Sequence, residues 1–111
     1  MLNGILYAET RSTYRADGTI RYVDLRRGKD GEYGPFQMTK GAWRQVRKSG
    51  EPFWKLEVDT AYAEMFAIRY LMWLNKHYGH GDWERVTMMY NAGPNNVNYA
   101  YLNIVKIGSG L

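Results

Sequence analysis

Apolar residues recur at helical spacing along most of the chain, and the pattern changes once, near the N-terminus. The longest helical run follows Asp59 and Thr60, either of which can cap a helix, and extends to about Tyr78, before Gly79. Its apolar positions are Ala61, Met65, Phe66, Ile68, Leu71 and Met72. This spacing predicts one long helix whose apolar side faces the core.

Shorter helices are predicted on both sides of the long one. They cover residues 3–11, 39–49, 83–91 and 94–107. Thr39 and Asp82 are candidate N-caps, and Pro94 suits a first helical position because its missing N–H needs no partner there. Residues 51–58, EPFWKLEV, are expected to be a connector.

Residues 12–34 lack the helical pattern. Asp17-Gly18 separates two β-prone runs, which predicts a hairpin, and the stretch RRGKDGEYG that follows is typical of a loop. The predicted fold class is therefore α+β and mainly α-helical, with one small β-hairpin region near the N-terminus. The length of 111 residues fits one domain, residues 1–111.

The composition of the chain argues against disulfides, metal centres and bound cofactors. The chain has no cysteine, which excludes disulfides and cysteine-rich metal centres. His77 and His80 flank Gly79 without a nearby third ligand, so no metal and no cofactor is expected. Aromatic residues make up 15% of the chain, which suits either an aromatic-rich core or a groove for sugars.

The net charge of +4 suits an anionic polymer such as bacterial cell wall. The one basic run is Leu25–Lys29, so nucleic acid is not an expected partner. The N-terminus carries no secretory signal pattern, and no segment has the length of a membrane span, so membrane insertion is not expected either.

Glu9 is the first candidate for acid–base chemistry. It lies near the end of a predicted apolar helix, where Leu6, Tyr7 and Ala8 can bury it in part. Burial raises a carboxyl pKa, as a general acid near neutral pH requires. From periodicity alone, an ordinary exposed glutamate at a helix end is the other interpretation.

Three segments then combine in order: AETRS at residues 8–12, GPFQMTKGAW at 34–43, and YLMWLNKHYG with WERVTMMYNAGP at 70–94. Together they resemble the transglycosylase domain of soluble lytic transglycosylases, a lysozyme-like family that cleaves peptidoglycan, and the chain could be a bacteriophage member of that family. The resemblance spans nearly the whole chain.

The resemblance implies a role for each matching residue. Glu9 becomes the single catalytic acid and base, and Gln37 lines the sugar cleft. Tyr90 places its hydroxyl near the Glu9 carboxyl or the substrate's N-acetyl group, and Asn91 turns back to hold the catalytic helix or loop. The other expected substrate contacts are Phe36, Met38 and Tyr33.

The implied reaction cuts the bond between N-acetylmuramic acid and N-acetylglucosamine and forms 1,6-anhydro-N-acetylmuramic acid. The implied partners are peptidoglycan glycan strands, with a virion or a secretion complex as a further candidate partner. The expected place of action is the periplasm or cell wall, reached by phage delivery or another export route.

Departures from the family pattern keep two alternatives open. Thr10 replaces the usual serine, Pro35-Phe36 replaces the usual Leu-Met, and the gap between Glu9 and Gln37 is longer. The insertion carries four carboxylates, of which Glu32 is best placed as a second catalytic acid in a goose-type muramidase; the others are Asp17, Asp24 and Asp30. The second alternative is a non-catalytic peptidoglycan-binding module.

Overall fold

The structure of the protein is a computed structural model that describes residues 1–21, 28 and 30–110. Some of the sequence predictions fall outside these residues. They concern the β-prone residues Tyr22 and Val23, the candidate carboxylate Asp24, and all of the basic run Leu25–Lys29 except Gly28.

The described residues form a mainly helical molecule with one two-stranded antiparallel sheet, which confirms the predicted α+β class. The elements in chain order are α1 Leu2–Thr10, β1 Thr13–Tyr14, β2 Ile20–Arg21, α2 Lys40–Val46, α3 Lys55–Val58, α4 Thr60–Leu74, α5 Trp83–Ala92 and α6 Tyr99–Ser109. The strands pair Thr13 with Arg21 and Tyr14 with Ile20, so the predicted hairpin is present around Asp17-Gly18. A π-helical turn, Asn75–Gly79, extends α4.

Helix α1 packs closely against α6 at the centre of the fold. Ile5 and Leu6 on α1 are fully buried. A side chain at Gly4 would overlap Val105, and a Cβ at Gly108 would lie 2.7 Å from the Cβ of Tyr7. Both glycines therefore let the two helix backbones approach more closely than larger residues would allow.

Helix α4 buries only part of the predicted face: Phe66 and Leu71 are in the core, as expected. Its buried residues are Tyr62, Ala63, Phe66, Ala67, Tyr70, Leu71 and Leu74. Ile68 and Met72, predicted to face the core, are 44% and 56% exposed. Aromatic and alanine residues supply a second apolar stripe on this helix, and the tertiary packing uses that stripe because its large rings fill the core.

The predicted caps are present, but one helix start was wrong. Asp59, Thr39 and Asp82 each accept a backbone N–H of the first turn that follows. Pro94 does not begin the last helix, which starts five residues later at Tyr99. Asn98 sets this start, because its side chain accepts the N–H of Tyr101.

The predicted connector also contains a single helical turn, α3, which supports a loop that matters for the site. Gly34 has φ +82°, and a Cβ there would overlap the carbonyl oxygen of Leu56 on α3. Pro35 and Phe36, the next two residues, are fully buried. The loop is thus fixed between α3 and the core.

Gly34→Ala is expected to destabilise the protein by about 3 kcal/mol or more, because it combines a left-handed backbone with overlap at Leu56. Gly50→Ala is the matched control, since Gly50 has φ +80° with open space around its Cα. We expect that control to cost only about 1 kcal/mol. Urea unfolding of both variants measures the difference, and equal losses would contradict the role of Leu56.

Candidate active site

One cavity brings together residues that lie far apart in the sequence. It has a volume of about 270 Å³, and its lining consists of Glu9, Asp30, Glu32, Gln37, Thr39, Tyr90 and Asn91. The end of α1, the loop before α2 and the end of α5 supply these side chains. The cleft thus collects Glu9, Gln37, Tyr90, Asn91 and Glu32, five of the residues singled out from the sequence.

Glu9 lies in the last turn of α1, half-buried beside the cleft. Burial raises its carboxyl pKa from 4.5 to about 7, a hydrogen bond from Tyr101 opposes this rise, and the negative charge of Glu32 adds to it. The carboxyl is therefore substantially protonated near neutral pH. Such a group can donate a proton and, once ionised, take one back.

Tyr101 is the residue that the sequence analysis missed. Its hydroxyl donates to Oε2 of Glu9 at 2.8 Å, although 92 positions separate the two residues. A signal for it existed in the sequence. Tyr101, Val105 and Gly108 are spaced 4 and 3 residues apart, which places them on the face of α6 that packs on α1.

The hydroxyl of Tyr90 has a different partner from the predicted one. It donates to the carbonyl oxygen of Phe36 at 2.8 Å, inside the protein. Burial, with the nearby charge of Glu9 second, raises its pKa well above the usual value. The tyrosine therefore lies beside Glu9, while its hydroxyl ties α5 to the loop before α2.

Gln37 lines the cleft from an unusual backbone position. Its φ is +46°, a left-handed conformation that is uncommon for residues other than glycine. Its side-chain Nε2 donates to the carbonyl oxygen of Gly34 at 2.9 Å, and backbone hydrogen bonds between Tyr33 and Met38 close the loop around it. These hydrogen bonds stabilise the position of Gln37 from within its own loop.

The side chains of the three remaining predicted sugar contacts, Phe36, Met38 and Tyr33, pack against other parts of the protein. The side chains of Phe36 and Met38 are 1% and 2% exposed and belong to the core, so these two predictions were wrong. The loop turns them inward because they are the large apolar residues next to a tight turn. The ring of Tyr33 packs on Phe53, with centroids 4.3 Å apart.

Asn91 stabilises the helix that carries Tyr101. It accepts a hydrogen bond from the side chain of Asn98 at 2.8 Å, and Asn98 in turn caps α6. The residue was expected to hold the catalytic helix or loop. The structure connects it to α6, from which Tyr101 reaches Glu9.

Thr10 and Ser12 join the end of α1 to the loop before α2. The hydroxyl of Thr10 lies 2.9 Å from the carbonyl oxygen of Pro35 and 2.8 Å from Oγ of Ser12, and both residues are buried. The hydroxyl group that a serine would supply is therefore still present. It holds Glu9 against the cleft wall that contains Gln37.

In the part of the chain that the structure describes, no three His, Cys, Asp or Glu side chains cluster closely enough to hold a metal ion. Within the same residues, no helix has the length and apolarity needed to cross a membrane.

Most of the chain is similar to one known family. A family model described as the transglycosylase SLT domain matches residues 6–103, a range that begins before Glu9 and ends after Tyr101. Comparisons with curated proteins and with solved structures gave no match.

Tyr101→Phe is expected to raise the Glu9 pKa further above 7, by about one pH unit, because the lost hydrogen bond favours the ionised carboxylate. Carboxyl ¹³C NMR titration measures this pKa. Tyr99→Phe is the control, since Tyr99 is 65% exposed on the same helix and should leave the titration unchanged. An unshifted Glu9 in Tyr101→Phe would contradict the assigned contact.

Proposed function

The chain belongs to the transglycosylase SLT domain family, and we propose that it is a peptidoglycan lytic transglycosylase with Glu9 as its single catalytic acid and base. At the level of the family, the activity is cleavage of glycosidic bonds in peptidoglycan. One observation carries the finer proposal: a half-buried carboxyl with a pKa of about 7 lies in a cleft and accepts a hydrogen bond from Tyr101.

In the first step, protonated Glu9 donates its proton to the oxygen between N-acetylmuramic acid and N-acetylglucosamine. The bond from that oxygen to the anomeric carbon breaks, and the substrate's own N-acetyl group supports the positive charge that develops there. No protein nucleophile is needed. The raised pKa of Glu9 favours this step because it keeps the proton available near neutral pH.

In the second step, Glu9 is ionised and acts as a base. It removes the proton from the 6-hydroxyl of the muramic acid, and that oxygen closes on the anomeric carbon. The product is a 1,6-anhydro sugar, and Glu9 recovers the proton it gave away. The Tyr101 hydroxyl supports this half of the cycle, because its hydrogen bond stabilises the carboxylate form.

The remaining cleft residues have supporting roles in this proposal. Gln37 contacts the sugar from the cleft wall, and Asn91 keeps α6 and Tyr101 in place. Tyr90 shapes the pocket next to Glu9, with its hydroxyl bound to Phe36. The substrate places the activity in the cell wall.

A second candidate function rests on the position of Glu32. This carboxylate lines the same cleft as Glu9, and its charge affects the Glu9 pKa. A side chain at Gly28 would lie against the Glu32 carboxylate, so glycine leaves room for it there. If Glu32 holds a water molecule for attack on the anomeric carbon, the protein is a hydrolase of muramidase type and releases reducing ends.

Glu9→Gln is expected to reduce cleavage of purified peptidoglycan by about 10²–10⁴-fold while binding is retained, because the amide cannot transfer the proton. Mass spectrometry of the wild-type digest should show 1,6-anhydro ends. Glu84→Gln is the control, since Glu84 is exposed and pairs with Lys106 at 2.7 Å. Reducing ends would favour the hydrolase, and retained binding without cleavage by the wild type would favour a non-catalytic module.

Glu32→Gln separates the two enzyme candidates. If the protein is a transglycosylase, the product of the variant is still an anhydro sugar. Removing the Glu32 charge lowers the Glu9 pKa, so on raising the pH the variant loses activity at a lower pH than the wild type does. In a hydrolase, the turnover number falls about 10²-fold or more at every pH, since the water loses its base. Turnover measured from pH 5 to 9 decides between these outcomes.

A further inference from the structure

Helix α2 and the two residues that follow it carry a row of exposed cations that we call the basic ridge: Lys40, Arg44, Arg47 and Lys48. Lys40 and Arg44 lie one turn apart on the exposed side of α2, and Arg47 caps the end of the helix. Two like charges at this spacing repel each other on an isolated helix. The helix dipole favours cations near the last turn, where Arg44 and Arg47 lie. The same dipole disfavours a cation such as Lys40 at the first helical position.

Within the described residues, the ridge is not neutralised by neighbouring acids. The carboxylate of Glu51 is the acid closest to it in sequence. Arg69 on α4 engages both Glu51 oxygens, at 2.6 and 2.9 Å, and this hydrogen-bonded pair holds the Glu51 pKa at about 2. Glu51 also accepts the backbone N–H of Lys48 at 2.7 Å, so this acid is engaged by Arg69 and by the last residue of the ridge, and not by Lys40, Arg44 or Arg47.

At the end of the ridge away from the cleft, Trp43 and Arg47 border a groove. The indole N–H of Trp43 donates to the carbonyl oxygen of Glu51 at 3.1 Å, which fixes the ring, and the Arg47 guanidinium lies 4.9 Å from the ring centroid. Beside them is an open groove of about 330 Å³, lined by Trp43, Arg47, Gly50, Glu51 and Pro52. The ridge therefore ends in a depression with an arginine at its edge.

The ridge begins at the edge of the candidate active site. Thr39 lines the cleft and also caps α2, so Lys40 is the first residue beyond the cleft wall. Among the described residues, the cleft lining carries three carboxylates, Glu9, Asp30 and Glu32. The ridge therefore offers an anionic substrate positive charge directly beside the cleft.

We infer that the basic ridge binds the carboxylates of the peptides attached to the glycan strand in the cleft. This inference rests on the proposed function, since it assumes that peptidoglycan is the substrate. The glycan backbone enters the cleft, where the reacting sugars face Glu9. The peptides project from the muramic acid units, and those beyond Thr39 meet the cations of α2.

The test compares two substrates: intact peptidoglycan sacculi free of secondary polymers, and the same glycan strands after an amidase has removed the peptides. The ridge variant is Lys40→Gln, Arg44→Gln and Arg47→Gln together. A charge-matched control changes three exposed cations elsewhere, Arg21, Lys76 and Arg85, to Gln. A third variant, Lys40→Arg, Arg44→Lys and Arg47→Lys, keeps the charge and reports on folding.

For the ridge variant, we expect KM on the peptide-bearing substrate to rise about tenfold at low salt, with kcat unchanged. The difference should disappear near 0.5 M NaCl, because salt screens exposed charges. On the peptide-free strands, the ridge variant should match the control, and the charge-keeping variant should match wild type on both substrates.

Equal KM values for the ridge variant and the control on intact sacculi would overturn the inference. An equal loss on both substrates would do the same, since the ridge would then act on the glycan. If the ridge variant binds heparin more weakly than the control but keeps the wild-type KM on both substrates, the ridge binds another polyanion and the inference is wrong. If the wild type cuts neither substrate, the proposed function fails, and co-sedimentation with the two substrates still decides whether the ridge recognises the peptides.

Discussion

The close approach of α1 and α6 is the constraint on which the rest of the site depends. Gly4 and Gly108 contribute no side chain to this contact, and a Cβ at either position would collide with the opposite helix. At this separation the hydroxyl of Tyr101 reaches Glu9. Helix spacing therefore controls the hydrogen bond that opposes the effect of burial on the Glu9 pKa.

Burial and hydrogen bonding act on Glu9 in opposite directions. Removal from water raises its pKa, the Tyr101 hydroxyl lowers it, and the net value of about 7 shows that burial dominates. A carboxyl that must donate and then recover a proton works best with a pKa near the working pH, because neither its protonated nor its ionised form is then strongly favoured. The Glu32 charge adds to the rise, and it can do so because the loop before α2 carries this carboxylate into the cleft.

That loop is held from several sides, although it has little regular structure of its own. Thr10 contacts the carbonyl oxygen of Pro35, Tyr90 donates to that of Phe36, and Gly34 lies against α3. Each contact connects a different helix to the same few residues. The cleft wall therefore keeps its shape through buried polar contacts, which cost free energy if they are left unsatisfied. It also fixes where α2 and its cations begin.

The sequence by itself determined the local features of the protein. Capping residues such as Thr39, Asp59 and Asp82 predicted helix starts correctly, because a cap depends on hydrogen bonds within one turn. The hairpin around Asp17-Gly18 followed from turn chemistry, and Glu9 and the residues of the cleft followed from their resemblance to a known family.

Only the tertiary structure decided which helix faces are buried and which oxygen atoms accept the hydrogen bonds of the tyrosine hydroxyls. Periodicity predicted one apolar face for α4, but packing buries Tyr62 and Tyr70 together with Phe66 and leaves Ile68 and Met72 exposed. The partners of Tyr90 and Tyr101 lie 54 and 92 positions away, so no local pattern could assign them. Phe36 and Met38 turned inward for the same reason, since burial is a property of the assembled core and not of the segment.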